Sequence, residues 1–132
     1  MKRCLFVDDS SVIRKVAKRI LGGPELMFAE ASTGLDAIDM CEAEMPDIIV
    51  LDAVLPDMLI ADAIRRIRAI PSPVVPYIAI SLVEMDVGAI MRAKRAGAQS
   101  YILKPFDRAQ LVEKFRAMMA ACEEPTKVPL RA

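Results

Sequence analysis

Short apolar runs and amphipathic segments alternate five times along the chain. The apolar runs stop abruptly at a charged or turn residue, and their length and composition are typical of strands buried in a parallel sheet. They predict strands over residues 2–7, 26–30, 47–52, 77–82 and 100–103. The intervening segments repeat apolar residues at helical spacing and predict helices over residues 11–21, 34–44, 59–70, 84–96 and 107–122.

This alternation predicts an α/β fold, because strand–helix–strand units cross over with one hand and place helices on both faces of a sheet. The expected architecture is a doubly wound, five-stranded parallel sheet with five helices. At 132 residues the chain has the size of one domain. We expect this domain over residues 1–122, followed by a flexible tail over residues 123–132, which contain two prolines and mixed charge.

Charged residues stand where three of the predicted strands end. Asp8 and Asp9 follow the first strand, Asp52 ends the third, and Lys104 follows the fifth. The carboxyl ends of parallel strands share one edge of a sheet, so these side chains should converge there. Three carboxylates repel one another unless a cation joins them, and an incomplete set of oxygen ligands suits Mg²⁺. A simpler interpretation of the aspartate pair is compensation of the dipole of the first helix.

Composition excludes several classes of function. Lysine and arginine total 18 and are balanced by 18 acidic residues, which argues against nucleic acid or an acidic membrane as the main partner. The absence of histidine excludes histidine-based catalysis and histidine metal sites. Three widely spaced cysteines indicate reduced thiols, and no apolar run has the length of a membrane span. We therefore expect a cytoplasmic protein.

Three motifs together resemble the receiver domain of bacterial two-component response regulators. They are Val7-Asp8-Asp9-Ser10, Leu51-Asp52 and Lys104-Pro105-Phe106, in this order and at these intervals. The resemblance covers about residues 2–120 and is closest to stand-alone CheY-type regulators, similar to alphaproteobacterial members. It implies a flavodoxin-like sheet with strand order 2-1-3-4-5. It also implies a signalling domain with at most weak autophosphatase activity, not a dedicated enzyme.

The resemblance assigns roles to the charged residues. It implies that Asp52 is the phosphoacceptor, phosphorylated by a histidine kinase or phosphotransfer protein. The Mg²⁺ ligands it implies are Asp9, Asp52, the backbone carbonyl of Val54 and, through water, Asp8. Lys104 should pair with Asp52 at rest and with a phosphoryl oxygen afterwards. In the functional form the peptide bond before Pro105 is cis, an isomer that the sequence does not reveal.

The chain departs from the family pattern at two places. The family has Thr or Ser at the end of the fourth strand, where its hydroxyl binds the phosphoryl group. Two alignments place either Ser81 or Leu82 there, and we favour Leu82, whose side chain has no donor. After Pro56 the family usually has an Asp-Gly pair, whereas this chain has Leu59-Ile60. Tyr101 matches the aromatic residue that changes rotamer on activation in the family, and Leu82 would partly fill its destination.

The resemblance also places the signalling surface on the fourth and fifth helices and the fifth strand. The residues expected there are Met91, Arg92, Arg95, Tyr101 and Arg108. A basic surface with flexible methionines suits an acidic partner helix, and its arginines also allow a small anionic ligand. We expect a single-domain response regulator, monomeric or weakly dimeric, that binds a downstream target protein.

Three alternatives remain open at this point. The first is a degenerate receiver that acts as a phosphate-independent docking module. The second is a phosphatase working through an aspartyl-phosphate, but Val54 stands where such an enzyme needs a second acid. The third is a flavin carrier, whose phosphate the Asp8-Asp9 pair would repel.

Overall fold

The computed structural model describes residues 1–123. The strands are β1 (Lys2–Val7), β2 (Leu26–Ala31), β3 (Ile48–Asp52), β4 (Tyr77–Leu82) and β5 (Ser100–Leu103). The helices are α1 (Ser11–Leu21), α2 (Gly34–Ala43), α3 (Ile60–Arg68), α4 (Val87–Ala96) and α5 (Arg108–Cys122). Glu123 ends α5 as its C-cap, so the rest of the expected tail, residues 124–132, lies outside the described residues.

The strands form one parallel sheet in the order β2-β1-β3-β4-β5. This order confirms the predicted doubly wound fold. One apolar cluster lies between the sheet and α2, α3 and α4, and a second lies between the sheet and α1 and α5. The central strand β3 is buried over its whole length, as its continuous apolar sequence predicted.

The predicted start of the fourth helix at Glu84 was wrong by three residues. The structure begins α4 at Val87, because the Asp86 side chain accepts a hydrogen bond from the Ala89 backbone N–H and caps the helix there. The helix ends at Gly97, as predicted, and this residue has a φ of 126°. Residues 83–86 are therefore a loop at the carboxyl edge of the sheet.

Leu35 of α2 lies outside the apolar core, since half of this side chain is exposed. The buried stripe of α2 consists of Gly34, Ala37, Ile38 and Cys41, and Leu35 lies one position off that stripe. No helix among residues 1–123 combines the length and hydrophobicity needed to cross a bilayer.

Candidate functional site

Three of the predicted site residues meet at the carboxyl edge of the sheet. Asp8 follows β1, Asp52 ends β3 and Lys104 follows β5. The Lys104 Nζ lies 2.9 Å from Asp8 Oδ2 and 3.3 Å from Asp52 Oδ1. All three side chains are at least nine-tenths buried. The expected contact between Lys104 and Asp52 is present, and the shorter contact to Asp8 is one that the sequence did not indicate.

Backbone groups hold these side chains in place. The Ser10 N–H donates to Asp8 Oδ1 at 2.9 Å, and the Val54 N–H donates to Asp52 Oδ1 at 3.1 Å. The Lys104 N–H donates to the Leu82 carbonyl at 2.8 Å, which ties the loop after β5 to the end of β4. The peptide bond between Lys104 and Pro105 is cis.

The three carboxylates form a compact oxygen cluster. Asp8, Asp9 and Asp52 each offer an oxygen atom, and these atoms lie within 4.8 Å of one another. Asp9 is exposed, so the cluster opens to solvent on its side. An all-oxygen set that leaves room for water fits Mg²⁺ better than a transition metal, which would favour nitrogen or sulfur ligands. The residues present therefore fit the divalent ion that the sequence led us to expect.

Burial and charge change the ionisation of the site. Burial raises the pKa of Asp52 and the Asp8 charge raises it further, although the Val54 N–H and Lys104 partly oppose the rise. Burial alone would lower the pKa of Lys104, but its hydrogen bond to Asp8 and the charges of both aspartates outweigh that effect and raise it. Lys104 is thus held as a cation between two carboxylates.

The loop that follows β3 is hydrogen-bonded to the first residues of α2. Both Asp57 carboxylate oxygens accept hydrogen bonds of 2.9 Å, one from the Gly34 N–H and one from the Leu35 N–H. These bonds lower the pKa of Asp57. Gly34 permits the close approach, because a Cβ there would lie 2.8 Å from Met58 Sδ. This contact could not be predicted from the local sequence pattern, which does not link residues so far apart in the chain.

The same loop does without the glycine that the family usually has. An isolated bridge joins Val54 to Leu59, and both side chains are largely exposed. Among residues 1–123 only Gly97 has a positive φ, so the loop needs no left-handed residue. The apolar side chains of this loop, including Val54 and Leu59, line one side of the cavity that contains the carboxylates.

The cavity at the site is lined by Leu82 and not by Ser81, although Ser81 is the register partner of Asp52 on β4. Leu82 lines a cavity of about 960 Å³ together with Asp8, Asp52 and Lys104, whereas Ser81 is absent from its lining. Ser81 is fully buried at the alternate position of the strand, and its Oγ has no hydrogen-bond partner among the described residues.

The residues expected on the signalling surface lie on the predicted elements. Tyr101 is half-buried beside the first apolar cluster, with Lys114 Nζ 5.1 Å from its ring centroid. The side chains exposed on α4 and α5 include Met91, Arg92, Arg95 and Arg108. Arg92 differs from the others because it also lines the cavity that contains Asp52.

Comparison with known proteins identifies a family for most of this chain. A family model described as the response regulator receiver domain matches residues 4–116. The transcriptional regulatory protein CseB of Streptomyces coelicolor is 34% identical over 115 residues, covering 87% of this chain and 48% of CseB. Sporulation initiation phosphotransferase F of Bacillus subtilis is 29% identical over 106 residues, covering 80% of this chain and 84% of that protein. The chain thus spans about half the length of CseB.

Among solved structures, the chemotaxis response regulator CheY4 of Vibrio cholerae superimposes with a TM-score of 0.83. The match has 23% sequence identity and covers 89% of this chain and 98% of CheY4. At this identity the likeness concerns the fold.

Proposed function

This chain belongs to the response regulator receiver domain family, and from that premise we propose that Asp52 accepts a phosphoryl group from a phosphohistidine on a histidine kinase or phosphotransfer protein. The observation that carries the proposal is the convergence of Lys104 and three carboxylates at the end of β3. Nucleophile, counter-charge and metal ligands are the parts that phosphoryl transfer to a carboxylate needs.

The transfer begins when one Asp52 oxygen attacks the phosphorus atom of the donor. The bond between phosphorus and the donor imidazole nitrogen breaks, and its electron pair returns to the imidazole, which is then protonated by solvent. Asp52 becomes an acyl phosphate. Lys104 Nζ lies 3.3 Å from Asp52 Oδ1 and is positioned to pair with a phosphoryl oxygen of the product.

Mg²⁺ supplies positive charge against the transferring oxygens when it is bound. We propose Asp9, Asp52 and the Val54 carbonyl as its protein ligands, with Asp8 acting through water. The exposure of Asp9 supports this division, because it is the carboxylate with the freest access to an entering ion. Asp8 is already hydrogen-bonded to Lys104, which favours an indirect role.

Signalling then follows from a change in affinity for a target protein. Phosphorylation shifts the population between conformers, and the partner binds one of them better. The exposed residues Met91, Arg92, Arg95 and Arg108, with Tyr101 beside them, form the proposed docking surface. The balanced charge of the chain supports a protein partner in the cytoplasm over DNA or a membrane.

The test is incubation with acetyl phosphate and Mg²⁺, followed by intact-mass spectrometry. Wild type should gain the mass of one phosphoryl group, and Asp52→Asn should gain none. Asp39→Asn, on the exposed face of α2, is the matched control and should react as wild type does. A wild type that binds Mg²⁺ but forms no adduct would favour the phosphate-independent docking module instead.

A further inference from the structure

Phosphorylation of Asp52 creates a charge imbalance that Lys104 alone does not offset. The unmodified site already holds three carboxylates and one ammonium group. An acyl phosphate carries a charge of roughly −2, where the carboxylate carried one. Leu82 offers no hydrogen-bond donor at the position where it lines the cavity. Lys104 and the proposed Mg²⁺ together offset all but about one negative charge of the phosphorylated site. A further cation with access to the same cavity would offset the remainder.

Arg92 on α4 meets this description. It lines the cavity together with Asp52, Leu82 and Lys104. Its Nη1 lies 3.2 Å from the place where a Cβ on Gly88 would stand, so the guanidinium extends back along the helix over Gly88. Among residues 1–123 it makes no ion pair and no side-chain hydrogen bond. The guanidinium is thus not held by a direct ion pair, and Asp86 Oδ1 lies 3.4 Å from the same point over Gly88.

The surroundings of Arg92 contain charges of both signs. The N-terminal turn of α4 borders the cavity and its helix dipole adds partial positive charge there, whereas the Glu84 and Asp86 carboxylates in the same lining are negative. Leu59, Leu82 and Val83 add apolar side chains to the lining; Leu82 is buried, whereas Leu59 and Val83 are largely exposed. A guanidinium also matches two phosphoryl oxygens at once, which an ammonium group does not.

We propose that Arg92 is a phosphoryl-binding residue, whose guanidinium pairs with the phosphoryl group on Asp52 and replaces the hydroxyl that Leu82 lacks. This inference rests on the proposed phosphorylation of Asp52. Since Arg92 belongs to α4, the contact favours a position of α4 closer to the phosphoryl group, and α4 carries part of the docking surface. It links the phosphorylated site to α4 without requiring a hydroxyl at the end of β4.

The test measures the binding of beryllium trifluoride, a non-covalent stand-in for the phosphoryl group, in the presence of Mg²⁺. Arg92→Gln should weaken this binding about tenfold, the loss expected for one charge-assisted hydrogen bond. Lys94→Gln is the matched control, because Lys94 is a cation exposed on the same helix that does not line the cavity. It should leave the affinity unchanged within about twofold, since an exposed charge is screened by solvent.

Two further readouts separate direct contact from a structural role. Thermal stability without beryllium trifluoride should be equal in wild type, Arg92→Gln and Lys94→Gln. Arg92→Lys should restore part of the affinity, since it keeps the charge but loses the planar fork. Equal affinity of Arg92→Gln and Lys94→Gln for beryllium trifluoride would overturn the role of Arg92 while leaving phosphorylation intact. A wild type that binds no beryllium trifluoride and forms no adduct would instead overturn the proposed function.

Discussion

Lys104 determines the electrostatic balance of the site because it contacts two buried carboxylates at once. The placement of charges at strand ends was enough to predict that Lys104 and Asp52 would meet. It was not enough to predict the shorter bond to Asp8, because that depends on side-chain rotamers and on the loop after β5. The contact of Asp57 with α2 escaped prediction because it depends on the conformation of the loop after β3.

Replacing Lys104 by methionine should destabilise the metal-free protein and strengthen Mg²⁺ binding. The buried Asp8 carboxylate would lose its counter-charge, at a cost of about 3–5 kcal/mol in the free energy of unfolding. Mg²⁺ would then enter a site without a competing ammonium group, and binding to the folded state would restore stability. Thermal unfolding over a Mg²⁺ titration checks both effects, with Lys15→Met as the exposed control. Unchanged Mg²⁺ affinity would contradict this account of Lys104.

The raised pKa of Asp52 predicts a pH-dependent effect of Asp52→Asn on stability. The folded state binds the Asp52 proton more tightly than the unfolded state. The wild type therefore loses stability as pH rises from the pKa of Asp52 in the unfolded state to its higher pKa in the folded state. The variant lacks this loss. It should therefore exceed the wild type in free energy of unfolding at neutral pH.

This advantage should shrink as pH falls through the folded-state pKa, where Asp52 becomes protonated in the wild type. Denaturant unfolding without Mg²⁺ at several pH values measures it. Asp39→Asn, on the surface, serves as control. An advantage that grew toward low pH would show that the folded state favours the ionised carboxylate.

At the scale of elements, the ends of α4 show what local sequence does and does not determine. A glycine at residue 97 marks the helix end in the sequence, because glycine readily adopts the positive φ common at helix ends. In the structure its φ is 126°. The start was missed because Glu84 and Met85 are compatible with a helix, and only the observed bond from Ala89 N–H to Asp86 identifies the cap. The other four helices lie where the apolar spacing predicted them, although Leu35 of α2 is half exposed.

Gly97→Ala should destabilise the protein by about 1–3 kcal/mol, because an L side chain is strained at positive φ. The added Cβ would also stand 3.0 Å from Arg68 Cγ, so the Arg68 side chain would have to move slightly. Gly23→Ala is the matched control, since a Cβ there meets no atom within 4 Å and the φ is not positive. Urea unfolding of both variants checks the difference. Equal losses would show that backbone conformation at Gly97 is not the cause.

At the scale of the whole molecule, the sheet order follows from the alternation of strands and helices together with the resemblance. The two-sided burial of β3 and the shared edge of the strands then bring distant charges together. Two alignments left open whether Ser81 or Leu82 of β4 faces the cavity, because sequence spacing alone does not fix strand register. The structure places Leu82 in the cavity lining, and the role of this residue in switching stays a prediction.

The central claim is that Asp52, and no other carboxylate, carries the phosphoryl group. An acyl phosphate is reduced by borohydride to an alcohol, which converts the modified aspartate to homoserine. Peptide mass spectrometry after treatment with acetyl phosphate, Mg²⁺ and borohydride locates that change. The account predicts homoserine at residue 52 and unmodified Asp8 and Asp9. Homoserine at either of those two positions, or at none, would contradict it.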